Sequence, residues 1–220
     1  MTTYVISIKQ IIRTMNKKAL IGLIIFLSIP FLIQLMPLTY MWAEIGFWLL
    51  LLVIILWIYF VEKQTIASIG WKKLTVKMTF LAIGFGLVLF VAFGIANVVI
   101  QKLGLELNQE IAQMISSKSL PVLFLLVLRA AVVEEVLYRA YAFERINELT
   151  KSKWVAGLVP LFMFMLVHLA WGIGHLLFIF VAGGLLTLIY VSKRNLAINI
   201  IAHFTVDVIA LAVLPLMLGS

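Results

Sequence analysis

Long apolar runs broken by short polar links make up most of this chain. A run of about 20 apolar residues is what a helix needs to cross the hydrocarbon core of a bilayer. Read on that basis, spans are expected at residues 20–38, 45–61 and 78–100, then from about Leu120 past Tyr141, then at 154–171, 175–191 and 196–218. The links are a short segment at 37–43, a lysine-bearing loop with Lys63, Lys72, Lys73 and Lys77, and a loop at 101–119. After the fourth span come a charged link with Glu144, Arg145, Glu148, Lys151 and Lys153, a tight Gly172-Ile173-Gly174 turn, and a turn at 192–195. Ahead of the first span, Tyr4, Ile8, Ile11, Ile12 and Met15 share one helical face, while Lys9, Arg13 and Lys17 lie largely on the other. That pattern predicts an interfacial amphipathic helix over residues 4–18 on an anionic leaflet. A basic flank before an apolar core also occurs in secretory leaders, but no small-x-small cleavage site follows residue 38. The first run is therefore read as a retained span.

Composition agrees with that pattern. The 220 residues are 65% hydrophobic and only 12% charged, and the mean hydropathy is +1.19. These values fit a polytopic helical membrane protein and no soluble domain. One membrane-embedded domain over residues 1–220 is expected, all-α, with about seven spans (six to eight, depending on how the ends are divided). No internal repeat or low-complexity tract is visible. The net charge of +8 is read by position, since Lys and Arg mark the cytoplasmic side of membrane proteins. With the N-terminus inside, fourteen of the seventeen basic residues fall on inside segments, Lys102 and Lys118 fall outside, and Arg129 lies within a span. The bias predicts a cytoplasmic N-terminus and gives little reason to expect a nucleic-acid partner. There is no cysteine, which removes disulfides, thiolate metal sites and cysteine nucleophiles. Glycines at 84, 86 and 94 are expected to let neighbouring helices approach the third span.

Polar groups inside the apolar runs are the places where chemistry is expected, because ionisable residues at membrane depth are costly and face a partner or a cavity. The fourth span carries Arg129-Ala-Ala-Val-Val-Glu134-Glu135-Val-Leu-Tyr-Arg139. Adjacent helical residues point about 100° apart, so the two glutamates cannot do the same job. Arg139, four residues after Glu135, has the spacing of an ion pair. It is expected to neutralise Glu135 and leave Glu134 facing an interior site. The blander alternative puts both glutamates at a helix end, paired with Arg129 and Arg139. Phe164/His168 and His203/Asp207 repeat the i, i+4 spacing on two further helices. Singly, each histidine reads as packing; together, the three pairs are better explained by one shared polar site. His175, beside the glycine turn, and the six tryptophans read as interfacial packing.

These three stretches resemble the signature motifs EExxxR, FxxxH and Hxxx(N/D) of the CAAX protease and bacteriocin-processing family, also called CPBP or Abi. The resemblance runs over about residues 120–212 and includes the Val181-Ala-Gly-Gly-Leu stretch and the Lys193-Arg194-Asn195-Leu196 turn. Residues 1–100 carry no such motif. The resemblance implies an intramembrane endopeptidase, with relatives in prenyl-protein processing and in bacteriocin maturation or self-immunity. It implies Glu134 as the general base that activates a water, His168 as the residue that holds that water, and His203 with Asp207 stabilising the oxyanion. Glu135 and Arg139, with Phe164, would be supporting residues. Members of the family in eukaryotes carry Asn at the last position. An ionised Asp207 cannot donate a hydrogen bond, so it either orients His203 or carries a proton.

Together the residues and the resemblance predict hydrolysis of a peptide or small protein presented at the membrane of a bacterial cell. The protein would be multi-pass, its site would open toward the cytoplasm, and no cofactor would take part. Zinc held by Glu134, His168 and His203 is the minority alternative, since a His₂Glu set with an open position is catalytic. A bacteriocin-immunity protein that acts by binding is the second reading. A transporter is the third, disfavoured by the absence of repeats. One difficulty stands. At ~1.5 Å per residue, Glu134 and His203 would lie roughly 10 Å from the cytoplasmic face but His168 roughly 20 Å. Protrusion or tilt of the fifth helix, a kink at Pro160, or a misplaced boundary would each account for it.

Overall fold

The computed structural model describes residues 17–37 and 39–213. The amphipathic helix expected at 4–18 lies almost wholly outside the described residues, as does the end of the last span. Among the described residues every regular element is helical. Helix α1 is Lys17–Leu35. Helix α2, Tyr40–Leu56, is extended by a π turn at Trp57–Val61. A 3-10 turn at Ile66–Ile69 leads to α3, Val76–Lys102. The loop expected at 101–119 contains a short helix, α4, at Gln109–Ser116. Next, α5 (Leu120–Arg129) runs without a break through a π-helical stretch (Ala130–Ala142) into α6 (Phe143–Thr150). Helix α7 is Lys153–Leu166, followed by a 3-10 turn at Leu169–Trp171. Helix α8 is Ile173–Lys193, and α9 is Leu196–Val208 with a π turn at Ile209–Val213.

Side-chain caps fix several of these starts. The Thr75, Ser152 and Asn195 oxygens accept from the backbone N–H groups of Met78, Val155 and Ala197, satisfying donors that a helix start leaves unpaired. Two of the stops are residues in the left-handed region, Lys151 (φ 56°) and Arg194 (φ 47°).

Five helices are long and apolar enough to cross a membrane: Lys17–Leu35, Tyr40–Val61, Val76–Lys102, Ile173–Lys193 and Leu196–Val213. The two remaining expected spans differ from that standard for separate reasons. The fifth, expected at 154–171, is a helix of only 14 residues, about 21 Å long and short of the ~30 Å hydrocarbon core. The fourth is longer than expected and buried on nearly every side, with Val136 to Phe143 all inside the protein. It is the axis of the bundle, with α1, α2, α7, α8 and α9 packed round it. Phe26, Ile54, Ile58, Phe164 and Tyr190 pack in one core with its Leu137, Tyr141 and Phe143.

The charged link expected after Tyr141 begins instead as the end of this axis, and its first two charges, Glu144 and Arg145, are paired inside the protein. Arg145 donates to Glu62 from Nε at 2.9 Å and to Ser68 Oγ at 2.9 Å. Tyr141 donates its hydroxyl to the other oxygen of Glu62 at 2.7 Å. Glu144 accepts from Tyr190 at 2.8 Å and pairs with Arg194. The network closes the end of the bundle that carries the basic turns.

The same pairing removes the depth difficulty. Arg194, in the α8–α9 turn, docks at the level of Glu144. His203 lies about 12 Å beyond Asn195 along α9, and Glu135 about 14 Å back from Glu144 along the axis. The boundary was at fault: with the axis running on to Thr150, Glu134 and His168 both sit over 20 Å from that end.

Among the three glycines expected to admit a neighbour, only Gly86 does so. A Cβ there would lie 2.5 Å from the Thr205 side chain and 2.9 Å from the Ala202 carbonyl of α9, while Gly84 and Gly94 have nothing within 4 Å. The close α3–α9 contact carries one flank of α9 and therefore the position of His203.

The cysteine-free chain permits a direct test of orientation. With the N-terminus inside, an impermeant thiol reagent applied to intact cells should label a single cysteine at Met36→Cys, after α1, and spare one at Lys63→Cys. The reverse pattern would overturn the charge-based orientation.

Candidate active site

Glu135 is held from three directions. It is fully buried and accepts three hydrogen bonds. Arg139 NH1 donates to Oε1 at 3.1 Å from the same helix, and Asn199 Nδ2 donates to Oε2 at 2.8 Å from α9. His203 Nδ1 stands 2.9 Å from Oε1. Arg139 is equally enclosed. Its NH2 donates to the Gly183 carbonyl at 3.3 Å, and its guanidinium lies 4.6 Å over the Phe164 ring. An added Cβ on Gly183 would come within 3.0 Å of that NH2, which explains a glycine in the middle of α8. The expected Glu135–Arg139 pair is therefore present, and it ties the axis, α7, α8 and α9 together.

Glu134 is positioned differently. Its side chain is one-fifth exposed and lines a cavity of about 130 Å³ bounded by Pro30, Phe47, Arg129, Tyr138, Phe164 and His168 among others. It is not free of partners: Arg129 NH1 donates to it at 3.1 Å. The five-residue separation suits the i→i+5 winding of the π stretch that begins at Ala130. Arg129 in turn grips Glu44 with two parallel bonds, Nε to Oε2 and NH2 to Oε1, both 3.1 Å. Glu44 was not read from the sequence. The signal was there, as a lone carboxylate in an apolar run and a span arginine in need of a second counter-charge.

His168 sits just past the end of α7, and its Nδ1 is 2.7 Å from the Phe164 carbonyl. A carbonyl only accepts, so Nδ1 carries the proton and Nε2 of the neutral ring keeps its lone pair. Phe164 also packs edge-on against both His168 and Tyr138, at 4.8 and 5.0 Å between ring centres. The motif pair Phe164/His168 is thus a local device that fixes the tautomer and the ring together.

His203 and Asp207 lie on the far side of Glu135. The second nitrogen of His203 is 3.3 Å from Asp207 Oδ2, so both ring nitrogens are held by carboxylates and neither is free to donate to a carbonyl. Neither His203 nor Asp207 is among the residues lining the cavity beside Glu134. Asn199, unread in the sequence, completes an i, i+4, i+8 face of α9 with His203 and Asp207. Glu134, His168 and His203 do not converge as three ligands, and among the described residues no group of three His, Asp or Glu side chains is placed as a metal site. His175 packs edge-on against Trp171, which packs edge-on against His168, at 4.6 and 4.5 Å between ring centres, in keeping with its expected packing role.

The cavity reaches Pro30 and Gln34 near the end of α1, Phe47 near the start of α2, and Trp171 beyond α7. It therefore lies in the half of the bundle away from the basic turns.

Residues 116–209 match the model of the family described as Rce1-like, type II CAAX prenyl endopeptidase Rce1-like. This is consistent with the CAAX protease and bacteriocin-processing family suggested by the motifs, and the matched segment contains all three of them. No curated protein and no solved structure matches the chain.

If Glu135 and Arg139 neutralise each other, removing one leaves an uncompensated charge. Arg139→Met should cost about 3–5 kcal/mol, and the double variant Glu135→Leu/Arg139→Met should recover part of that loss. Thermal unfolding in detergent reads both.

Proposed function

We propose that this chain is an intramembrane endopeptidase in which Glu134 activates a water for attack on a peptide carbonyl. The observation that carries the reading is the pairing of Glu134 with His168 on one small cavity, inside the segment that matches a CAAX-protease family. A water between them donates one hydrogen bond to the Glu134 carboxylate and one to His168 Nε2. Its remaining lone pair is then directed at the substrate. In the hydrolytic step the water oxygen bonds the carbonyl carbon and Glu134 takes the proton. The C–N bond then breaks, its electron pair goes to nitrogen, and Glu134 returns the proton to the leaving amine.

Glu135, Arg139, Asn199, His203 and Asp207 form the frame that holds this geometry. In this reading His203 and Asp207 act through Glu135 rather than on the oxyanion. A cavity of this size takes a water and an extended peptide group but no folded helix, so the substrate is an unwound segment reaching membrane depth. The family description points to peptides of the prenyl-protein type, and leader-type membrane peptides share the same requirement. The orientation test above decides from which side of the membrane such a segment enters.

Purified protein in lipid, given a panel of membrane-associated peptides, should cleave at least one of them with or without a chelator. Glu134→Gln should abolish that cleavage and leave folding intact. Chelator-sensitive cleavage would instead point to zinc. A Glu134→Gln variant that still protects cells against a bacteriocin would favour the binding-only immunity reading.

A further inference from the structure

Tyr138 has a property that the proposed hydrolytic roles leave unused. Its side chain is 3% exposed, and its hydroxyl is buried with no hydrogen-bond partner among the described residues. Buried hydroxyls are nearly always paired, so an orphan calls for a reason. Tyr138 lines the same cavity as Glu134 and His168, four residues after Glu134 on the axis helix. Its ring is fixed by edge-on packing against Phe164, the residue whose carbonyl also fixes His168. Packing thus fixes the ring at the cavity wall while no protein group uses the hydroxyl proton.

The proposed chemistry lacks a donor at this place. Attack by water puts negative charge on the carbonyl oxygen, and hydrolases meet that charge with preorganised donors. Glu134 is an acceptor and neutral His168 offers only a lone pair from Nε2. Both nitrogens of His203 are already held by Glu135 and Asp207. Arg129 spends three of its five N–H groups on Glu44 and Glu134, and its charge is committed to those two carboxylates. We propose that Tyr138 is a further catalytic residue whose hydroxyl donates to the scissile carbonyl oxygen as it becomes the oxyanion.

The proposal rests on the endopeptidase reading above. No net transfer occurs at Tyr138: its hydrogen bond strengthens as charge develops and relaxes when the C–N bond breaks and the carbonyl re-forms. The ring itself serves packing, so Tyr138→Phe removes the donor and keeps the contact with Phe164.

The test uses the full chain in lipid with a peptide that the unaltered protein cleaves. Tyr138→Phe should lower kcat about 10²–10³-fold, with KM within about twofold and an unchanged thermal midpoint. A peptide aldehyde, which mimics the tetrahedral adduct as its hydrate, should bind the variant more weakly by a comparable factor, while the substrate peptide binds both forms equally to an inactive Glu134→Gln background. Full kcat in Tyr138→Phe, beside a dead Glu134→Gln, would overturn the Tyr138 role and leave the endopeptidase reading standing. Full activity in Glu134→Gln would remove the reading itself, and the Tyr138 role with it.

Discussion

A carboxylate cannot be held inside a membrane protein without a partner, and Glu135 meets that constraint with three. Arg139 comes from its own helix, while Asn199 and His203 come from α9. Arg139 then reaches the Gly183 carbonyl and the face of Phe164. Four segments of the bundle are thereby referenced to a single buried charge. In lipid, where apolar packing alone does little to choose one helix arrangement over another, such bonds are what can select it. The consequence for the neighbouring glutamate is direct. Its own direction is set by the helix, so fixing Glu135 inward leaves Glu134 at the cavity wall.

Two further clusters complete the arrangement. At the basic end, Glu62, Tyr141, Ser68 and Arg145 form a buried network, and Glu144, Tyr190 and Arg194 form a second one beside it. These fix how far α9 is displaced along the axis, and so bring His203 level with Glu135. On the cavity side, Glu44 holds Arg129 by two bonds, and Arg129 holds Glu134 by one. The carboxylate proposed as base is therefore itself positioned, through a cation that reaches α2.

Much of this was legible in the sequence wherever the signal was periodic. The i, i+4 spacing gave the Glu135–Arg139 pair and the association of Phe164 with His168, and the apolar runs gave five helices long enough to span. The errors came where the expected period did not hold. Ala130–Ala142 is π-helical, so Arg129 meets Glu134 at a spacing an α-helix would not favour. Glu144 and Arg145 look like a solvated link because local sequence does not reveal that Arg194 and Glu62, more than forty residues away, neutralise them. The short α7 reads as a span because its apolar run continues through a 3-10 turn that carries no local stop signal before Gly172. Glu44 and Asn199 are single polar residues, and a single residue carries no period.

The central claim is a division of labour between two adjacent glutamates, one structural and one at the cavity. Its most direct test is to compare the thermal unfolding of Glu134→Gln and Glu135→Gln in the same detergent. The account requires Glu135→Gln to lose stability markedly, because a buried guanidinium is left without its carboxylate. It requires Glu134→Gln to unfold close to the unaltered protein, because Arg129 keeps its two bonds to Glu44. Equal losses in the two variants, or the larger loss in Glu134→Gln, would contradict it.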